Sequence, residues 1–365
     1  MKFLLLFLVG SSLGFGQTVS KPADLPFSMV WLRGRCGDQG LSRSRRCNTA
    51  AQLESIQFTT DKEAWGVGHR WPPPKSEGIG DFIAVHSQDG GRTWVEIPYT
   101  QAHAASPSIS FLNADDGLLS WPVVVTGAMK IQRTRDGGKS WQDVDLGIDA
   151  APGFVDESHW FAIDNRALLA TDDAGRTWRE MQVPHLTYIT STFLNSRDVG
   201  WIASNDFKDV AVSRTIDGGR SWTESRFTTP SKSNQVTDLF FVDALRGWLI
   251  VDHGYDERGD ASSDLFSSVD GGATWVQGQD RSFQGAHNEL GPVRFLSPEN
   301  GFVFDWEITK AASHYSLIYT TDGGAHWRKQ PLPHYVYGCQ IFKGELRCSA
   351  GGADSEFWIL TIRPK

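Results

Sequence analysis

Apolar residues come in short runs broken by polar turns, never in the long stretches that helices or membrane spans need. A phenylalanine is followed by a few polar residues, then by Gly-Trp or a close equivalent opening a second apolar run. The copies are Phe58 with Ala64-Trp65-Gly66-Val67, Phe111 with Ser120-Trp121, Phe154 with His159-Trp160-Phe161, Phe193 with Gly200-Trp201-Ile202, Phe241 with Gly247-Trp248-Leu249, and Phe295 with Gly301-Phe302-Val303. Runs of this length bounded by turn residues predict strands. A second pattern, Ser/Thr-x-Asp-x-Gly-x-x-Trp, follows each pair of runs. Its aspartates are Asp89, Asp136, Asp173, Asp217, Asp270 and Asp322, and its tryptophans Trp94, Trp141, Trp178, Trp222, Trp275 and Trp327. The aspartates are 47, 37, 44, 53 and 52 residues apart, a period that marks a repeat architecture.

Each box predicts a tight turn between two strands. The carboxylate is expected to accept backbone N–H bonds a residue or two on. The glycines supply positive φ, and the third copy, with Ala174-Gly175, keeps only the second of them. The hydroxyl locks the turn, and the tryptophan packs between repeats. These residues read as structural and not catalytic. Each unit is then strand A, a turn, strand B, a variable connection, strand C, the box and strand D, the four-stranded blade of a propeller.

The chain ends supply a seventh blade. Val336–Phe342, Glu345–Ala350 and Glu356–Ile362 give strands A, B and C, and Ser28–Leu32 gives strand D, with Trp31 in the place of a box tryptophan. The expected fold is all-β, a propeller of seven four-stranded blades closed by an N-terminal strand, with six or eight blades as the alternatives. Met1–Gly16 reads as a secretory signal, 17–25 as a flexible lead and 26–365 as one domain. No cysteine lies at the cleavage region, which argues against a lipid anchor. In an oxidising compartment the four cysteines pair locally, Cys36 with Cys47 and Cys339 with Cys348. A two-residue turn at Lys343-Gly344 places Cys339 opposite Cys348 at a non-hydrogen-bonded pair.

The units resemble the bacterial neuraminidase, or Asp-box, repeat family, and their continuous form is similar to the photosystem II assembly factor-like propellers. That resemblance covers most of the chain after residue 16. It implies the propeller fold and a non-catalytic role in protein assembly or stability. Sialidases and xyloglucanases carry the same boxes, so glycoside hydrolysis is the alternative.

A net charge of −8 without a basic stripe argues against nucleic acid as partner. No segment reaches the length of a membrane span. Since boxes mark one face, function is expected on the other, in the long B–C connections. Candidate ligand-binding residues are His69, Arg70 and Trp71, Tyr255 and Arg258, and Trp306. His103, His185, His287 and His334 each lie eight residues before a strand A phenylalanine, at Phe111, Phe193, Phe295 and Phe342. They are expected near the channel mouth, without forming a metal site. For the hydrolase alternative the candidates are Tyr255, Asp256, Glu257, Glu289 and Glu307. The Arg-Ile-Pro segment that carries the first sialidase arginine has no counterpart; Arg-Pro occurs once, at Arg363-Pro364. The expectation is a secreted or periplasmic monomer that binds a protein segment or an oligosaccharide and carries neither metal nor cofactor.

Overall fold

A computed structural model describes residues 25–36, 51–70, 82–97, 107–123, 126–163, 167–184, 189–205, 209–229, 234–255, 261–278, 288–308, 313–351 and 357–365. Among them there are strands and no helix. The strands form seven sheets, and each has four antiparallel members in the order A-B-C-D. Blade 1 starts at strand A Ala51–Phe58, blade 2 at Ser108–Phe111, blade 3 at Ala151–Phe154, blade 4 at Ile189–Leu194, blade 5 at Gln235–Phe241, blade 6 at Asn288–Phe295 and blade 7 at Tyr335–Phe342. The A strands of neighbouring blades lie side by side around the centre, least closely between blades 3 and 4. Blade 7 takes Phe27–Arg33 as its outermost strand, antiparallel to Phe357–Pro364, so the ring closes as the sequence predicts. Blade 1 gains a fifth, two-residue strand, Arg35–Cys36, parallel to its strand D.

The box is a hydrogen-bonded knot. In blade 2 the Thr134 hydroxyl donates to Asp136 Oδ1 (2.8 Å) and accepts from Gly138 N–H (2.8 Å). Asp136 in turn accepts from the N–H of Ser140 (2.9 Å) and from its hydroxyl (2.6 Å). The carboxylate therefore reaches four residues ahead, further than the one or two expected. The same set recurs on Asp89, Asp173, Asp217 and Asp270, and in blade 6 the His326 imidazole replaces the second hydroxyl. The first turn position then donates its N–H to a carbonyl in the A–B turn of its own blade: Gly90 to Lys62, Gly137 to Asp115, Ala174 to Ser158, Gly218 to Asp198, Gly271 to Leu245 and Gly323 to Glu299, all within 3.0 Å. The boxes and A–B turns thus share one face. Ala174 keeps this bond by adopting φ 59°, a left-handed conformation that costs a residue with Cβ about 1 kcal/mol.

Strand register decides what fills the space between blades. Phe111 pairs with Gly117, Phe241 with Gly247 and Phe295 with Gly301, and a Cβ on any of these glycines would strike the paired ring. The next residue of strand B faces the following blade. Trp65 stacks on Phe111 of blade 2 (4.3 Å) with Trp141 edge-on; Trp201 stacks on Phe241 (3.8 Å) with Trp275 edge-on; Trp248 stacks on Phe295 (3.4 Å) with Trp327 edge-on. Six apolar clusters of this kind span six of the seven junctions.

The register also corrects four sequence assignments. In blade 2 the residue after Gly117 is Leu118, and Trp121 faces blade 1. In blade 3 Trp160 pairs with Phe154, the glycine position, so Phe161 faces blade 4. In blade 4 Leu194 pairs with Gly200, and Phe193 turns to Phe240 and Phe241 of blade 5. In blade 7 Phe27, not Trp31, meets Phe302 and Tyr319 of blade 6 as a box tryptophan would. In blades 2, 3 and 4 the reason is that side chains alternate faces along a strand, so an odd offset reverses them, whereas in blade 7 Trp31 shares the face of Phe27 but lies four residues further along the strand.

Polar clasps hold neighbouring A strands. The Gln57 amide accepts from Phe111 N–H (2.8 Å) and donates to its carbonyl (2.9 Å). Gln340 does the same to Phe58 across 282 residues of sequence (2.6 and 3.2 Å), tying blade 7 to blade 1. The Cys339–Cys348 disulfide forms where the register pairs those residues, 4.1 Å between Cα atoms, beside a Lys343-Gly344 turn with both φ positive. Cys47 lies outside the described residues, so the Cys36–Cys47 pairing is untouched by the structure.

Two predictions follow from the box. Gly138 has φ 76°, and a Cβ there would lie 2.1 Å from Trp65, whereas Gly127 at φ 73° has nothing within 4 Å. Gly138→Ala should therefore cost about 3 kcal/mol or more and Gly127→Ala about 1 kcal/mol, measured by urea unfolding. The carboxyls of Asp136, Asp173, Asp217 and Asp270 are held down to about 2, foremost by the hydroxyls of Ser140, Thr177, Ser221 and Thr274. Groups depressed in the folded state stabilise it above their unfolded pKa and lose this as pH falls. The thermal midpoint should be flat above about pH 5 and fall from about pH 4 towards 2, with a shallower fall once the box aspartates are replaced by asparagine.

Candidate functional site

Among the described residues, strand ends build the face opposite the boxes. Strand B runs Ala64–Arg70 in blade 1, Gly247–Tyr255 in blade 5 and Gly301–Ile308 in blade 6. His69 pairs with Phe82, Tyr255 with Ala261, Trp306 with Tyr315 and Glu307 with His314. These candidates, expected in loops, are ladder residues, because cross-strand pairing continues through their aromatic and polar side. Trp71, Asp256, Glu257, Arg258, His103, His185 and His287 lie outside the described residues.

Blades 6 and 7 bring aromatic rings together at this end. Tyr335 meets Trp306 (4.8 Å), Tyr315 (5.9 Å) and Tyr337 (4.6 Å), all edge-on. Tyr335 and Tyr337 alternate on one face of a strand A, a period-two signal that sequence reading passed over. Burial pushes the Tyr337 hydroxyl up, so it stays a neutral donor. Trp306 is half-buried, and its indole N–H has no hydrogen-bond partner. The crevice beneath, lined by Asp305, Trp306, Tyr315 and Tyr335, measures about 10 Å³, room for one water.

Of the carboxylate positions proposed for hydrolysis, 289 and 307 lie among the described residues and do not share a face of the sheet. Glu289 pairs with Trp306, and Glu307 with Asn288, so the two positions alternate to opposite faces of blade 6. Asp305, buried on the same strand, makes an ion pair with Lys329 at 2.5 Å. Burial pushes its carboxyl up, opposed by Lys329 and reinforced by Glu307. In blade 5 the His253 ring is held between Asn234 Oδ1 (2.9 Å) and Asp264 Oδ2 (2.8 Å). His253 bonding keeps the Asp264 carboxyl low. It anchors the base of the connection that leads to Tyr255.

His334 is wedged between Trp31 (5.4 Å) and Trp358 (4.8 Å), which belong to the two outer strands of blade 7. It packs away from the inner strand and so does not line the channel mouth as expected. Among the described residues no group of three acidic, histidine or cysteine side chains could hold a metal. Nor is any helix there long and apolar enough to cross a membrane.

The Asp305–Lys329 pair gives a test of this end of blade 6. Lys329→Met leaves a buried carboxylate alone and should cost about 2 kcal/mol at neutral pH, less than for a fully buried pair because Lys329 is part-exposed. A raised native pKa means that the native state binds the proton more tightly, so the loss should shrink as pH falls through that pKa. Urea unfolding at several pH values measures both.

No family model matches the chain. It is similar to the photosystem II assembly lipoprotein Ycf48 of Trichormus variabilis, at 26% identity over 194 residues, and to that of Nostoc sp., at 27% over 190 residues. Each match covers 49% of this chain and spans 50% of the relative's length. Among solved structures it is similar to Ycf48 bound to D1 peptide, with TM-score 0.63, 16% identity and 96% of this chain and 99% of that one covered. It is also similar to a GH74 xyloglucanase from Xanthomonas campestris, with TM-score 0.58 and 12% identity, covering 91% of this chain and 53% of the enzyme. At these identities the structural likenesses show the seven-bladed fold.

Proposed function

We propose that this chain is a non-catalytic propeller that holds an extended segment of another protein, in the assembly or stabilisation of a larger complex. The carrying observation is the aromatic group Trp306, Tyr315, Tyr335 and Tyr337, presented by strand ends on the face away from the boxes. Rigid aromatic rings give large contact area at small entropic cost and are the usual anchors of protein interfaces. His69, Arg70 and Tyr255, at the ends of neighbouring B strands, are the proposed rim, and Trp71 and Arg258, which follow in sequence, are proposed to extend it. Similarity to Ycf48, whose solved structure carries a D1 peptide, supports peptide recognition as the chemistry. The identity of the segment is not carried over. A leader at Met1–Gly16 and relatives named as lipoproteins support export to a lumen or periplasm, where the chain acts as a monomer.

Hydrolysis has less support, because Glu289 and Glu307 stand on opposite faces of one sheet, whereas a glycosidase needs two carboxylates flanking one bond. Screening the intact protein on arrays of extended peptides should find binders whose affinity drops about tenfold or more in Trp306→Ala and Tyr335→Ala while the thermal midpoint stays close to wild type. Turnover of a sialoside or a β-glucan that disappears in Glu307→Ala would overturn the proposal.

A further inference from the structure

The junction between blades 3 and 4 departs from the other six. Among the described residues it is the one without a buried apolar cluster. The cause is in the register. Where sister junctions set a Trp-Phe stack with an edge-on tryptophan, this one sets Phe161, Leu194 and Trp222. Phe161 stands where the sister junctions have tryptophan and Leu194 where they have phenylalanine, each a size smaller, and both are half-buried, whereas Trp65, Trp201, Phe241 and Phe295 are at most 1% exposed. The clasp is missing too. Gly153 occupies the position from which Gln57 and Ser110 reach the next blade, and Phe161 packs where its Cβ would be.

A cleft of about 120 Å³ results, lined by Phe161, Leu194 and Trp222. Its size is close to that of the dry cavity of about 150 Å³ that accepts benzene. The Trp222 indole N–H is buried without a partner, as are those of Trp141 and Trp275, so it is the missing ring opposite Phe161 that sets this junction apart. Met181 of blade 3 covers Gly219 of the box, the place that Trp65, Trp201 and Trp248 take over Gly138, Gly272 and Gly324. A thioether is flexible and can give way to a ring. The rim carries Arg179, Arg197 and Arg220 against Asp172 and Asp198, a balance suited to a neutral or acidic chain.

We propose that this cleft is a second binding site, one that takes a planar aromatic side chain from a partner peptide. The guest ring completes the stack that the other junctions build from their own residues. The occupant is argued from those junctions: three times in this molecule the same backbone geometry is filled by an aromatic ring lying flat on another, with a tryptophan edge-on to the phenylalanine ring. The site stands on the packing of blades 3 and 4 and is independent of the aromatic group at the opposite face.

The test uses the intact protein and N-acetyl-phenylalaninamide as probe. The indole N–H resonance of Trp222, assigned by its loss in Trp222→Phe, should shift saturably at millimolar probe. Leu194→Phe supplies the missing ring from within; it should raise the thermal midpoint and weaken probe binding about tenfold or more. If Leu194→Phe does not fold, Phe161→Trp serves as the filled variant. Trp306→Ala should leave the response unchanged, which separates this site from the other. No shift in the native protein, undiminished binding in the filled variant, or equal binding of the cyclohexylalanine analogue would overturn the proposal.

Discussion

The ring depends on one short-range interaction, the carboxylate that gathers the N–H and hydroxyl groups of a residue four positions ahead while accepting a hydroxyl from two behind. This closes the C–D turn so tightly that its next N–H can bond the A–B turn. A blade is thereby pinned at one end by two turns bonded to each other. The second glycine of the same turn leaves a bare backbone surface, and at Gly138, Gly272 and Gly324 the preceding blade lays a tryptophan on it. Local turn chemistry and long-range packing thus meet in eight residues. Because the locking groups are mostly exposed, salt screens them, and their strength lies in repetition around the ring more than in any single copy.

That locality explains what could be read from sequence. Turn residues act over four positions, so six boxes announce six turns, and the strands between them have only one way to pair. Ring closure by Phe27–Arg33 was legible for the same reason, since blade 7 lacked a strand and one apolar run was unassigned. Which face a side chain takes was less legible. Trp160, Phe193, Trp121 and Trp31 all carry the expected ring chemistry one or more positions from where the ladder wants it, and only the partner strand reveals the parity. Aromatic content is a compositional fact, but stacking is a fact about register.

Several candidate residues expected in loops belong to strands. Trp306 and Glu307 continue a strand, and so do His253 and Tyr255, because the B and C strands keep pairing past the point where their sequences cease to alternate. Tyr335 and Tyr337 carry no motif, and their shared face follows only from the strand Tyr335–Phe342 that holds both. Glu289 and Glu307 could be listed as carboxylates from sequence, but their opposed faces follow only from pairing. Alternation that misleads a motif search is the same physics that decides whether two charges can share a substrate.

The clasp between Gln340 and Phe58, and the strand lent to blade 7 by residues 27–33, give the ring a consequence in time. Blade 7 has three of its strands at the very end of the chain and its fourth at the beginning. Until Phe357–Pro364 is made, Phe27–Arg33 has no partner, and blade 1 has no neighbour on one side. A nascent chain can stack its blades in order, yet it holds two unpaired sheet edges throughout synthesis. Closure joins the residues furthest apart in sequence, and until it forms two sheet edges stay open to pairing with other chains.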